Sequence, residues 1–259
     1  MMNYFTFGGE RSSDFGIYIS GENTFNSPER DVEYIQIAGK NGDLTISNNR
    51  FKNISVSYPA FILKNFKANS SRAKAWLLQQ AGYRRLEDTY DPDYFRMGQF
   101  SGPIDFDMRF LNYSGEMELT FNCKPQRWRK DGENIVTLEG KAETGQYTGG
   151  TLYNFERFAS LPYMKVYGSK SSESGIVGEI LVRHFDADGE MDKSNSLTIK
   201  DINGYVEIDS ETQNAYRGTL NVNDTVSITE FPQLFPGENR ILYNSGIDKI
   251  EIKPRWWTI

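Results

Sequence analysis

The chain has 259 residues, with 29 Lys and Arg against 35 Asp and Glu, a formal charge of −6, one His and one Cys. Its 17 Phe, 15 Tyr and 4 Trp exclude disorder as the main state, because that much aromatic surface does not stay solvated. The single cysteine excludes an intrachain disulfide framework and a cysteine-based zinc site, and the acidic balance excludes generic nucleic-acid binding, which needs a basic footprint.

In chain order, the opening Met1–Gly8 lacks the charged start and apolar run of a secretory leader. The longest apolar run, Tyr58–Leu63, is too short to cross a bilayer, so a soluble protein made in a cytoplasm is expected, with no membrane partner. Asn69, Ser70 and Ser71 offer capping oxygens, Ala73, Trp76, Leu77 and Ala81 recur at helical spacing, and Gly82 supplies a stop. These predict a helix over about 70–81. Ile104–Phe110 and Met117–Cys123 each alternate apolar and polar residues around a polar turn at Asn112–Gly115, which predicts an antiparallel hairpin with one wet and one dry face.

Turn-rich segments at Lys130–Glu133 and Thr144–Gly150 place a domain boundary between about Arg129 and Gly150, with the ownership of the short run Asn134–Leu138 left open. Residues 1–130 carry 17 Lys and Arg against 15 Asp and Glu, whereas residues 131–259 carry 12 against 20, a difference that favours two domains, 1–132 and 133–259. Further on, Leu197–Ile202 and Tyr205–Asp209 flank Asn203-Gly204, a dipeptide suited to a type I′ turn, and predict a second hairpin. With many short alternating runs, one helix and no βα repeat, the expected class is mainly β, as two β-sandwich domains.

Candidate chemistry is sparse. A Ser–His–Asp or Cys–His arrangement would have to use His184, which ends an apolar run with no nucleophile motif nearby, so a structural or surface role is expected. Cys123 falls on a dry strand face and reads as buried and inert. Asp105 and Asp107 share a strand face roughly 6–7 Å apart, a glycosidase-like separation, but Arg109 continues that face and makes it read as a charged surface. Asp186-Ala187-Asp188-Gly189-Glu190 starts like a calcium loop without completing one, and reads as a turn. Tyr163, Tyr167, Tyr205, Tyr216, Trp256 and Trp257 are rings able to stack on sugars, although sandwiches use such residues in cores and interfaces. Phosphate-loop, dinucleotide and zinc-protease motifs are absent from the sequence, so no catalytic residue, cofactor or metal is assigned.

Particular words of the sequence carry more. Phe5-Thr6-Phe7-Gly8 leads to Ser12-Ser13-Asp14-Phe15-Gly16-Ile17, then Pro28-Glu29-Arg30, then Gly39-Lys40-Asn41-Gly42. Downstream come Asn154–Ser160 with Leu161-Pro162-Tyr163, Ile208–Glu211, Phe231–Asn239 and the closing Pro254-Arg255-Trp256-Trp257. In this order the set resembles the distal tail proteins of long-tailed, non-contractile bacteriophages, over nearly the whole chain. The resemblance implies a tail-tube-like N-terminal β-sandwich with one helix and an extended hairpin, six copies of which close a ring, and a galectin-like C-terminal β-sandwich displayed outside it. It implies a structural, non-enzymatic role in the virion tail, assembled in the host bacterial cytoplasm. The partners it implies are further copies of the chain, the tail tube protein, the tail-tip protein and receptor-binding proteins, with no specific nucleic acid. The second domain has no room for an inserted docking arm or an added carbohydrate module. The competing readings are a lectin-like module for cell-wall glycans and a glycosidase using Asp105 and Asp107.

Overall fold

The computed structural model describes residues 2–21, 23–109, 113–168, 177–200 and 202–259. Contacts divide the chain into two compact units, one of residues 1–128 with Ile259 and one of Arg129–Thr258. The chain is mainly β.

Unit 1 runs β1 (Phe5–Phe7), β2 (Glu10–Arg11), β3 (Ile17–Ile19), β4 (Arg30–Ile35), β5 (Leu44–Phe51), β6 (Ile54–Ile62), α1 (Phe66–Gln79), β7 (Arg84–Asp88), β8 (Tyr94–Gln99), β9 (Phe106–Arg109) and β10 (Ser114–Cys123). Its main sheet has the order β2-β1-β7-β8-β10-β6-β3, with β9 added beside β10. β6 and β10 pair antiparallel from Gly115↔Ile62 to Cys123↔Ile54 without a shift. Alternation along β10 buries Met117, Leu119, Phe121 and Cys123 and exposes Glu116, Glu118, Thr120 and Asn122, as its period of two demands. β9 pairs with β10 as the hairpin expectation requires, through Phe106↔Met117 and Arg109↔Ser114. Its dry face is short, however: Phe106 is half-buried and Met108 is 55% exposed, because the hairpin projects beyond the core. Phe110 and Asn112, in that expected hairpin, lie outside the described residues.

The helix starts one turn before the predicted 70–81. It begins at Phe66 because that ring is 6% exposed and packs edge-on against Phe106, 5.3 Å between centroids. Asn69 and Ser70, expected as caps, instead donate to the Lys64 and Lys67 carbonyls. Gly82 lies beyond the last helical residue, Gln79, and Ala81 is exposed. The buried face is Phe66, Ser70, Ala73, Trp76 and Leu77. Trp76 stacks on Phe15 at 4.4 Å and 3° and on Phe5 at 5.6 Å, which ties the helix to the sheet.

The chain continues through β11 (Arg127–Arg129) into unit 2: β12 (Val136–Glu139), β13 (Tyr147–Asn154), β14 (Tyr163–Gly168), β15 (Gly178–Phe185), β16 (Met191–Ile199), β17 (Gly204–Asp209), β18 (Asn214–Arg217), β19 (Leu220–Asn221), β20 (Val226–Ile228), β21 (Gly237–Asn244), β22 (Lys249–Lys253) and β23 (Trp257–Thr258). Two sheets, β12-β22-β14-β17-β18-β19 and β13-β21-β15-β16-β20, share a core that includes Met164, Val166, Ile180, Leu197, Val206, Ile241, Tyr243 and Ile250. The run whose ownership was open, around Val136–Leu138, pairs with β22 in this unit.

The second expected hairpin does not form. β16 pairs with β15 and β20, whereas β17 pairs with β14 and β18 in the other sheet. Asn203 and Gly204 do take positive φ, 36° and 95°, but they carry the chain across the sandwich rather than back along it. Period two shows which side of a strand is dry; it does not show whether the next strand lies beside it or opposite it. Asp201, in the same stretch, is outside the described residues.

Gly115 is a tight requirement where α1 begins, since a Cβ there would sit 2.4 Å from the Phe66 ring. Gly115→Ala is expected to lower unfolding stability by about 1–3 kcal/mol in urea titrations followed by tryptophan fluorescence. An unchanged midpoint would show that the α1 start is looser than described.

Candidate assembly surface

His184 is 8% exposed on β15. Its Nδ1 bonds the Asp192 carboxylate, and its Nε2 lies 2.7 Å from the Pro236 carbonyl oxygen. Ser194 lines the same cleft of about 320 Å³, so Ser, His and Asp do gather here. The arrangement is nevertheless not a nucleophile-activating one, because the Pro236 carbonyl takes the ring nitrogen that a serine hydroxyl would need. Cys123 is fully buried with its Sγ toward the Phe121 carbonyl, and burial pushes its thiol up to about 12.

Asp105 and Asp107 line the mouth of a groove of about 660 Å³ with Phe61, Phe106, Met117, Glu116 and Glu118. Arg109 donates to Asp107 at 2.9 Å and to Glu116 at 3.4 Å, so the strand face is an ion-paired surface. Asp186 spends Oδ1 on the backbone N–H groups of Asp188 and Glu190, which is a turn. Among the described residues, no three metal-ligating side chains gather.

The aromatics picked from sequence are engaged within unit 2. Tyr163 donates to Glu207 at 2.6 Å and Tyr167 to Glu251 at 2.8 Å. Lys165 lies over Tyr205 at 4.1 Å and Lys249 over Tyr167 at 4.3 Å. Tyr216 is half-buried on β18. Trp256 packs on the core, and Trp257 stacks on Phe158 and donates to the Ala159 carbonyl.

What the residue-by-residue reading missed is β4–β5, a two-stranded sheet of its own. One face carries Ile35, Leu44 and Ile46 with Glu33; the other carries Val32 and Tyr34 with Thr45 and Ser47. Tyr34 is 66% exposed, and Ile35, Ile37, Leu44 and Ile46 are each more than 40% exposed. An isolated pair of strands is at best marginal in water, and it presents unpaired backbone edges. Apolar residues on both faces conceal the alternation that would have revealed it; the remaining signal was the Gly39–Gly42 turn.

At the foot of this ribbon its two strands are tied to each other. Arg50 bonds Asp31 at 2.6 Å, holding that carboxyl below its usual range, and Arg30 lies over Phe51 at 4.8 Å. The segment leading into β4 is gripped from beneath. Arg96, 6% exposed, reaches the carbonyls of Asn26 and Pro125, and burial lowers its guanidinium from the usual value. Arg127 pairs with Asp91 and covers Tyr94 at 4.7 Å and Phe25 at 5.6 Å. Asp88 accepts from Tyr58 at 2.7 Å and Thr24 at 3.2 Å. The ribbon is thus a firmly rooted arm with uncovered apolar faces, an arrangement suited to another chain rather than to a small substrate. Among the described residues, no helix is long and apolar enough to cross a membrane.

Two substitutions test these placements. His184→Ala is expected to cost about 1–3 kcal/mol of unfolding stability through the lost Asp192 and Pro236 bonds, with particle mass by light scattering unchanged. At Asp209, burial raises the carboxyl, but the bonds from Arg255 at 2.6 and 3.2 Å outweigh it and hold the group below its usual value. A depressed carboxyl contributes stability above its unfolded value, about pH 4, and loses it as the pH falls. Arg255→Met should therefore flatten the decline of melting temperature between about pH 5 and 2, and an unaltered slope would refute the pairing.

No family model and no curated protein sequence matches the chain. Among solved structures, the Dit protein of phage SPP1, described as a paradigm of hub adsorption apparatus in Gram-positive infecting phages, superposes with a TM-score of 0.67 at 12% identity over 100% of both chains. The phage p2 baseplate in its activated conformation matches with strontium and with calcium, in each case with a TM-score of 0.51, 11% identity and 97% of both chains. From end to end, the chain has the fold of a phage distal tail (Dit) protein.

Proposed function

We propose that this protein is a structural hub of a phage or prophage tail, six copies of which close a ring at the distal end of the tail tube and join it to tail-tip or baseplate proteins. The observation that carries the reading is the full-length likeness to SPP1 Dit, both units in one order. The β4–β5 ribbon supports it, since an arm with apolar residues on both faces gains stability only when another chain covers it. In this reading unit 1 builds the ring through one contact repeated around the axis. Unit 2, a galectin-like sandwich in this reading, stays outside, where a surplus of eight negative charges in residues 131–259 keeps neighbouring copies apart. Tail tube and tail-tip proteins are its partners, with receptor-binding proteins attached further out, and the place of action is the virion tail after assembly in the bacterial cytoplasm.

Mass photometry and negative-stain imaging of the full chain are expected to give particles of six chains with a central hole. Because closure follows mass action, the six-chain fraction should rise with concentration. Ile35→Asp combined with Leu44→Asp should leave the circular dichroism unchanged and reduce the particles to single chains. A wild-type chain that stays monomeric at every concentration, or a ribbon variant that still closes rings, contradicts the proposal.

A further inference from the structure

Unit 2 holds a cleft of about 610 Å³ between the end of β13, the turn after β15 and the start of β21. Tyr153 and Phe155 line it and touch each other, with ring centroids 4.6 Å apart. They are 53% and 75% exposed, and the residue between them, Asn154, is buried and holds the Phe158 and Leu234 carbonyls. Successive strand residues point to opposite sides, so the anchored Asn154 fixes both rings outward on a rigid base. The pair belongs to no core and is not an accident of a loose loop.

Several rings of this chain carry one of its own cations: Arg72 over Phe15, Arg85 over the buried Phe95, Lys193 over Phe235 and Lys249 over Tyr167. So does one ring of the same cleft, with the Arg240 guanidinium 4.0 Å from the centre of the Phe185 ring. Tyr153 and Phe155 have none: among the described residues, no cation lies over either ring. Arg157 also lines the cleft without reaching them.

The polar lining of the cleft also favours a cation. Glu156 pairs with Arg129 at 3.3 Å and Glu238 with Arg240 at 2.5 Å. Asp186 has no ion-pair partner among the described residues; its Oδ1 takes two backbone N–H groups, and the carboxylate stands at the cleft's edge. Exposed π faces beside an unneutralised carboxylate, on a unit with an excess of negative charge, favour a cation, and a planar guanidinium stacks on rings and bonds a carboxylate at once.

We propose that this cleft binds an arginine-bearing segment of another protein, the guanidinium lying on the Tyr153–Phe155 rings and paired with Asp186. The site lies in unit 2 and does not depend on ring formation by unit 1.

The test uses the full-length protein and a fluorescein-labelled Gly-Arg-Gly-Arg-Gly peptide, followed by anisotropy at low and at physiological salt. Its citrulline counterpart, the same shape without charge, is the control. The wild type is expected to bind the arginine peptide and not the citrulline peptide. Tyr153→Ser and Phe155→Ser, exposed positions whose change leaves the net charge alone, are each expected to weaken binding about fivefold. Asp186→Asn should weaken binding and reduce its salt dependence. If the arginine peptide binds equally to the aromatic variants, the attraction is diffuse charge and the site is refuted. Equal binding of the citrulline peptide, or binding of neutral oligosaccharides in preference to the arginine peptide, refutes the cation. Circular dichroism of each variant separates lost binding from lost fold.

Discussion

The nine-residue ladder between β6 and β10 is the member on which unit 1 rests. It places Val56, Tyr58 and Ile62 on the same dry side as Leu119, Phe121 and Cys123, and so builds most of the core in one unbroken register. At one end of β6 the chain turns directly into α1, whose first residue, Phe66, sits where Gly115 leaves room. At the other end it comes from β5, so the same ladder roots the projecting ribbon. A slip of one residue in this pairing would expose the core, crowd the helix and misdirect the ribbon together.

Polar chemistry in unit 1 serves positioning. Asp88 collects a phenol, a threonine hydroxyl and two backbone N–H groups at the foot of β4, and Arg96 and Arg127 stretch between the same loops. Buried charges of this kind are costly unless every partner is present, so they fix one arrangement of loops against competing ones. Unit 2 has a mostly aliphatic interior, and on the outside of its β14–β17–β22 sheet Tyr163, Tyr167, Tyr205, Lys165, Lys249, Glu207 and Glu251 satisfy one another.

How much was legible from sequence follows from which forces are local. The alternation in Met117–Cys123 was readable because a strand with one dry side writes its burial directly into the order of residues. Helix existence was readable from Ala73, Trp76 and Leu77, but its start was not, since the burial of Phe66 is decided by a glycine some fifty positions away. Asn203-Gly204 identified a real turn and the wrong partner strand, because a reversal within one sheet and a crossing between two use similar backbone angles. The Tyr153–Phe155 pair drew no notice, as two aromatics one residue apart read as ordinary strand; only the buried Asn154 between them shows that both face outward. The whole-chain order of weak motifs carried the family likeness that no single motif did.

The ribbon also has a consequence for the free chain. Two strands with bare backbone edges and isoleucines on show are a template for any other strand, including those of partly folded copies. A newly made protomer therefore carries its most adhesive element on its outside until something covers it. The surface that selects the correct neighbour is also the one that would seed precipitation, and the two outcomes compete for the same pool of single chains. Arg30, Arg50 and Lys52 at the ribbon's foot, with Glu29, Asp31 and Glu33 beside them, soften that competition, because charge slows indiscriminate edge pairing more than it slows a docking that buries the apolar faces.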